Sequence, residues 1–243
     1  MTPIDKRDAA LLRERFPEDK AYNEALARVE GGEPLAYVLG EWYFYGLTFK
    51  LSDACLIPRP DTEHVVERAI NGIKKGGKFI DLCTGSGCIA ISVLKNRPDL
   101  TAYALDISDG ALEKARENAV LNGVSDRITF IKRDIFDFEP SELPAFSAVI
   151  SNPPYIRSAV VPTLEVAKSE PWAALDGGED GMDFYRFIIK KYRDNLTRDG
   201  EFIFEIGYDQ GEAIRLLCEQ NGLSCEITKD YGGNDRVARI ALI

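Results

Sequence analysis

Asn152-Pro153-Pro154-Tyr155 is the segment of this sequence best suited to chemistry on a planar NH2 group. Such a nitrogen is a poor nucleophile, because its lone pair is delocalised into the neighbouring carbonyl or ring. Asn152 offers a side-chain carbonyl, and Pro153 offers a backbone carbonyl on a residue with no N–H of its own. Together they can accept both N–H bonds of one NH2 group and fix its orientation. Pro153-Pro154 stiffens the loop, so little order is lost on binding. Tyr155 supplies a flat face for a planar substrate. The tetrad also reads as a plain turn, since Asn-Pro and Pro-Pro dipeptides punctuate chains.

A second motif favours the chemical reading. Lys78-Phe79-Ile80-Asp81-Leu82 has the composition of a buried strand and runs into Cys83-Thr84-Gly85-Ser86-Gly87-Cys88-Ile89-Ala90. Glycines there let the backbone approach a ligand and open a helix at Cys88. The next strand-like run, Thr101 to Leu105, ends in Asp106. An acidic residue about 20 positions past a glycine loop is placed to bind a ribose diol. Together these features mark an adenosine-type cofactor at the carboxyl ends of parallel strands. Gly85-x-Gly87-x-x-Ala90 also fits a dinucleotide fingerprint, so NAD is the competing cofactor. Asp81 argues against it: a carboxylate just before the loop repels a pyrophosphate but suits the cationic amino-acid end of S-adenosylmethionine. The structural alternative for Asp81 is a cap or a loop hydrogen bond.

These motifs need a rigid frame, and the chain patterning supplies one. Strands are expected near 78–82, 101–106, 128–133, 146–151 and 200–206, with helices near 88–96, 109–122, 182–196 and 209–221. That alternation predicts βαβ units and a parallel sheet. Ser224 to Lys229 and Val237 to Ile243 flank Tyr231-Gly232-Gly233-Asn234-Asp235, a hairpin signal. The expected fold is therefore α/β: a doubly wound, mostly parallel seven-stranded sheet closed by a C-terminal antiparallel hairpin. Before it, Asp5 to about Glu30 reads as one or two short helices interrupted near Phe16-Pro17, and Trp42 to Leu51 as an aromatic β-hairpin turning at Gly46. A helix over Thr62 to Lys74 would be capped by Thr62.

Composition narrows the chemistry. The chain has 243 residues and a net charge of −10, from 30 basic and 40 acidic residues, which opposes bulk phosphate binding. No apolar run approaches the roughly 18 residues of a membrane span, and Met1-Thr2-Pro3-Ile4-Asp5-Lys6 has no apolar signal segment. The five cysteines form no Cys-x-x-Cys pair, as expected of reduced thiols in a cytoplasmic protein. The single histidine, His64, is expected on a helix surface and leaves no partner for a His-cluster metal site. Chemistry must run on positioning, carboxylates or an already activated cofactor, and methyl transfer from a sulfonium suits that constraint.

From Gly32 to the C-terminus the chain resembles the HemK/PrmC-type protein-glutamine N5-methyltransferases, which modify the Gly-Gly-Gln loop of class I peptide chain release factors. The resemblance is carried by Gly32-Glu33-Pro34, Leu56-Ile57-Pro58-Arg59-Pro60-Asp61-Thr62-Glu63, Asp81 to Gly87, Ser151 to Ile156, Glu170-Pro171-Trp172, Gly177 to Gly181 and Glu205-Ile206-Gly207. It implies that Cys83, Thr84, Gly85, Ser86, Gly87 and Asp106 contact S-adenosylmethionine. It places Ile135, after Asp134, beside the adenine, and Asn152 to Tyr155 around the target glutamine. It implies a class I release factor as protein partner, with neither membrane association nor stable nucleic-acid binding. The alternative substrates are an exocyclic amine of a nucleic-acid base or a glutamine of another protein, such as a ribosomal protein. Two departures stand out. Cys83 occupies a position where the family usually has glycine. The family's N-terminal bundle of about five helices is represented here by some 30 residues, which are expected to pack on the aromatic hairpin. The implied division is 1–54, a shortened helical segment and hairpin for substrate docking, and 55–243, the S-adenosylmethionine-binding domain.

Overall fold

Asp5 starts the first helix, its carboxylate accepting the backbone N–H groups of Arg7 and Asp8 at 2.8 Å each. The computed structural model describes residues 4–243; residues 1–3, the start of the 1–54 segment, lie outside the described residues. Helix α1 (Lys6–Arg15) is followed by α2 (Asp19–Glu30), and Phe16-Pro17 separates them as expected. A short helix that the patterning did not reveal, α3 (Leu35–Leu39), ends at left-handed Gly40. Strands β1 (Glu41–Phe44) and β2 (Leu47–Lys50) pair antiparallel about Tyr45 and Gly46. Both turn residues have positive φ, 50° and 72°, the backbone twist that a two-residue hairpin favours.

The helices meet the aromatic hairpin as expected, through Trp42, but much of their packing is on α3. Leu12, Ala25, Val38 and Leu39 form a small core of α1, α2 and α3, which Trp42 joins from the hairpin. α3 touches α1, α2 and β1, and so shares this contact with Trp42. Phe44 and Phe49 point into the main core beside Val65 and Val66 instead. The hairpin is further tied down by Asn118, which bonds both the N–H and the C=O of Lys50.

The remaining elements are α4 (Glu63–Gly72), β3 (Lys78–Leu82), α5 (Cys88–Asn96), β4 (Thr101–Asp106), α6 (Asp109–Leu121), β5 (Ile128–Lys132), β6 (Phe146–Ser151), α7 (Asp183–Tyr192), β7 (Leu196–Glu205), α8 (Gly211–Gln220), β8 (Leu223–Lys229) and β9 (Asp235–Leu242). The sheet runs β5-β4-β3-β6-β7-β9-β8, parallel except for β9, which is antiparallel to both neighbours. Successive side chains alternate between two cores. Phe79, Ala148, Ile150 and Ile203 join one with α4 and α5. Ile80, Leu82, Val149, Phe202 and Phe204 join the other with α7 and α8. Observed boundaries lie within a few residues of those expected, the largest differences being α7, which ends at Tyr192, and β7, which begins at Leu196 through a pairing of Phe146 with Leu196. His64 lies on α4 as expected but is half-buried, its ring 4.6 Å from that of exposed Tyr231. No helix among the described residues is long and apolar enough to cross a membrane.

Candidate active site

The chain leaves β3, builds β4 and β5 to one side, and returns to place β6 on the other side of β3. Crevices at such a reversal of strand order open at the carboxyl ends of the strands. Here Leu82 pairs with Ser151, so the loop after β3 and the loop after β6 leave the sheet side by side. A cavity of about 470 Å³ opens there, reached by Cys83 to Ser86, Asp106, Asp134, Ile135, Asn152 and Pro154 among others. Two segments 69 residues apart in sequence are thus brought to one wall by a single parallel pairing.

The glycine loop is held from three directions. Gly85 N–H donates to Asp106 Oδ2 at 2.8 Å, and Ser108 N–H donates to Asp106 Oδ1 at 2.9 Å. These bonds aim the carboxylate at the cavity. Burial raises its pKa, and backbone N–H groups oppose the shift. Ser86 C=O accepts from Asn118 Nδ2, the residue that also holds the hairpin. Gly87 has φ 80°, and a Cβ there would stand 2.8 Å from Ile91 Cδ1, so only glycine lets α5 start this close to its neighbours. Cys83 is left-handed, φ 58°, a region that costs an L-residue strain and that glycine occupies freely. Asp134 Oδ1 accepts from Phe136 N–H, and Ile107, Ile135 and Phe136 give one end of the cavity an apolar lining. Ile107 is 53% exposed there, and the sequence had not marked it as a site residue.

Asp81 is placed elsewhere than expected. It shares the parity of Phe79 and therefore faces the α5 side of the sheet. It has no exposed surface and does not reach the cavity. Its Oδ2 accepts from Thr84 Oγ1 at 2.7 Å and from Ala90 N–H at 3.3 Å, in the first turn of α5. Asp81 is therefore the loop hydrogen bond and cap that had stood as its alternative role. Burial pushes its pKa up to about 7, partly offset by those two bonds.

The second wall is the Asn-Pro-Pro-Tyr loop. Asn152 Nδ2 donates to Thr62 Oγ1 at 3.3 Å. Pro153 is buried behind the wall, and its C=O accepts no hydrogen bond among the described residues. Tyr155 does not turn a flat face to the cavity: its hydroxyl donates to Glu205 Oε1 at 3.3 Å, and its ring leans on the core under α7. Thr62 holds the N-cap position of α4 as expected, but its side chain makes no capping bond; it ends the 3-10 turn before α4 and is 2% exposed. Glu205, 1% exposed, closes this group. Burial raises its pKa to about 7, while Thr62 and Arg236 favour the ionised form.

The loop is clamped from outside. Ile156 N–H donates to Leu175 C=O, and Gly177 N–H donates to Ile156 C=O. A Cβ on Gly177 would stand 2.6 Å from Tyr155 Cα, and one on Gly181 would stand 2.3 Å from Tyr155 C=O, which explains glycine at both positions. Across the mouth, Arg59 pairs with buried Glu170, whose other oxygen accepts from Ile57 N–H at 3.0 Å. The Pro-Arg-Pro and Glu-Pro-Trp runs are thereby joined. The site so built has the Asp106 carboxylate at one end, an apolar slot beside it, and the Asn152 amide on a rigid loop, with the Pro153 C=O behind it. It can hold a nucleoside next to a planar NH2 group.

Comparison with known proteins agrees with this geometry. The methyltransferase small domain matches residues 63–169. A release factor glutamine methyltransferase of Thermodesulfovibrio yellowstonii is 39% identical over 212 residues, which is 84% of this chain and 75% of that protein. One from Aquifex aeolicus is 37% identical over 227 residues, 91% of this chain and 80% of that protein. The crystal structure of a release factor-specific protein-(glutamine-N5) methyltransferase from Alicyclobacillus acidocaldarius superposes with a TM-score of 0.50 and 29% identity, covering 80% of this chain and 99% of the other.

Proposed function

The chain belongs to the release factor glutamine methyltransferases, and we propose that it transfers the methyl group of S-adenosylmethionine to the side-chain amide nitrogen of the glutamine in the Gly-Gly-Gln loop of class I peptide chain release factors. The observation that carries this reading is the position of β3 between β4 and β6, which brings the glycine loop, Asp106 and Asn152 to one edge of the sheet. The residues present suit the cofactor. Asp106 retains acceptor capacity for a ribose diol after taking the Gly85 and Ser108 N–H groups. Ile107, Ile135 and Phe136 suit the adenine. The loop from Cys83 to Gly87 leaves room for the amino-acid end. The volume lies within the range of about 300–1,000 Å³ typical of small-molecule sites.

S-adenosylmethionine supplies an electrophilic methyl group. The protein's part is alignment. Asn152 Oδ1 and Pro153 C=O each accept one N–H of the glutamine amide, which turns its nitrogen lone pair toward the donor. Formation of the N–C bond would be matched by breaking of the sulfonium S–C bond, leaving a neutral thioether, and the proton then leaving the nitrogen is already held at one of these carbonyl oxygens and can pass to water. No strong base is needed before attack. Tyr155 acts in this scheme by holding the loop, not by stacking. Residues 1–54 serve docking of the release factor, and 55–243 bind the cofactor. The reaction belongs in the cytoplasm, where release factors act. With a net charge of −10, nucleic-acid affinity should be weak at physiological salt.

Mass spectrometry of a purified release factor incubated with the protein and S-adenosylmethionine tests the reading. One added methyl on the Gly-Gly-Gln glutamine is expected. Asn152→Ala should lower turnover at least about tenfold, the equivalent of 1.4 kcal/mol, with cofactor binding much less affected. Methyl transfer to DNA or RNA but not to the release factor would reverse it.

A further inference from the structure

An asparagine side chain is two-ended, and only one end can serve here. Its carbonyl accepts the N–H of a substrate amide, whereas its NH2 group would oppose the substrate's own NH2. The two ends are nearly equal in size, so packing does not choose between them; a hydrogen-bond partner must. We propose that Thr62 and Glu205 are positioning residues that hold the Asn152 amide with its carbonyl toward the substrate. This rests on the reading of Asn152 as an acceptor for the glutamine NH2 group.

The geometry is a chain of three groups from three elements. Asn152, after β6, donates through Nδ2 to Thr62 Oγ1 at 3.3 Å. A threonine hydroxyl can donate or accept, so its own direction must also be set. Thr62 Oγ1 faces the Glu205 carboxylate at the end of β7. Glu205 Oε1 takes the Tyr155 hydroxyl, and buried Oε2 has no hydrogen bond of good geometry, leaving an acceptor open on that side. An ionised carboxylate is acceptor-only, so it draws the Thr62 O–H toward itself. The Thr62 lone pair then faces Asn152 Nδ2, and Asn152 Oδ1 is left for the cavity. A protonated Glu205 can instead donate to Thr62. The Thr62 O–H then turns to Asn152 and favours the flipped amide. The same arrangement gives the Pro-Arg-Pro-Asp-Thr-Glu run a task beyond its Arg59–Glu170 ion pair: its 3-10 turn delivers Thr62 to the back of the active-site asparagine.

Glu205 is surrounded by Tyr155 of the loop, Tyr185 of α7, Arg236 of β9, Asp61 ahead of α4 and Cys88 of α5. Arg236 favours the ionised form; burial and Asp61 oppose it. Turnover should therefore rise with pH as Glu205 ionises.

The test is steady-state methylation of a purified release factor by the full chain, with cofactor affinity by calorimetry and the Asn152 side-chain NH2 followed by 15N NMR without substrate. Thr62→Val should lower kcat about tenfold, with KM for the release factor and cofactor affinity within about twofold. Thr62→Ser, which restores the hydroxyl, should recover most of the loss. Glu205→Gln should lower kcat and flatten its rise with pH. In Thr62→Val the Asn152 NH2 protons should lose protection from exchange. A Thr62→Val protein with wild-type kcat, an unaltered pH profile and unchanged Asn152 signals would overturn the proposal. Loss of the Asn152 protection in a protein whose wild type leaves the release factor unmodified would uphold the arrangement and sink the substrate assignment instead.

Discussion

Gly177→Ala is the perturbation that reads the rigidity of the Asn-Pro-Pro-Tyr loop most directly. A Cβ at Gly177 would stand 2.6 Å from Tyr155 Cα, 2.7 Å from Pro154 C=O oxygen and 2.9 Å from Tyr155 carbonyl carbon. Comfortable contact begins near 3.5 Å, so one side must move by about 0.9 Å. The obstacles are backbone atoms of a loop stiffened by two prolines, not the ends of flexible side chains. The loop therefore moves as a body and carries the Asn152 and Pro153 oxygens with it. A displacement of about 1 Å at an aligning group can cost about 10²-fold in rate. Overpacking of this kind costs about 1–3 kcal/mol in stability. We expect kcat for release-factor methylation to fall about 10²-fold, and cofactor affinity, set by the neighbouring loop, to change less than about threefold. Gly76→Ala is the control. Gly76 has φ 69° but nothing within 4 Å of its Cβ, at the opposite end of β3. It should lose about 1–2 kcal/mol to backbone strain with kcat unchanged. Radiolabel transfer, calorimetry and chemical denaturation report the three quantities. A Gly177→Ala enzyme that folds and keeps kcat within about threefold of wild type would refute the claim that loop placement limits the reaction.

Other consequences follow from single residues. Asp106→Ala removes a charged acceptor worth about 1.5–3 kcal/mol, so S-adenosylmethionine should bind about 10- to 100-fold more weakly by calorimetry; unchanged affinity would remove Asp106 from the site. Cys83→Gly relieves the left-handed strain at φ 58°, and denaturation should show stability unchanged or raised by up to about 1 kcal/mol, since glycine's entropy offsets part of the gain. Glu205 is raised from 4.5 to about 7 by burial, so the folded state holds its proton more tightly than the unfolded state. Its stabilising effect is complete below about pH 4.5 and is lost as pH rises through about 7, by up to roughly 3 kcal/mol. Glu205→Gln should flatten part of the fall in unfolding free energy between pH 5 and pH 8; Asp81, raised in the same way, accounts for a further part. An identical fall in the variant would show that Glu205 titrates normally.

Local patterning in the sequence determined a great deal. Short buried apolar runs set β3 and β6, glycines marked the turn into α5 at Cys88, and helix–strand alternation implied a parallel sheet. These features depend on neighbours within a few positions and on the period of each element, so they survive without knowledge of the fold. The association of the glycine loop with Asn152 was legible for the same reason: both follow strands, and a doubly wound sheet brings strand ends together. What the tertiary structure alone decided is where individual side chains point. Asp81 stood in the right motif but on the α5 face of β3, where it bonds Thr84 and Ala90. Tyr155 turned to Glu205, 50 residues on, and the Thr62 side chain met Asn152, 90 residues on, rather than capping its helix. Asn118 joined the hairpin to the glycine loop, and Glu170 joined Arg59 across 111 residues. Each contact involves a buried polar group, and the cost of leaving donors and acceptors unpaired away from water selects its partner, although Asp81 Oδ1 and Glu205 Oε2 stay without one. That cost acts on whatever the closed fold places within about 3 Å, and separation along the chain carries no trace of it.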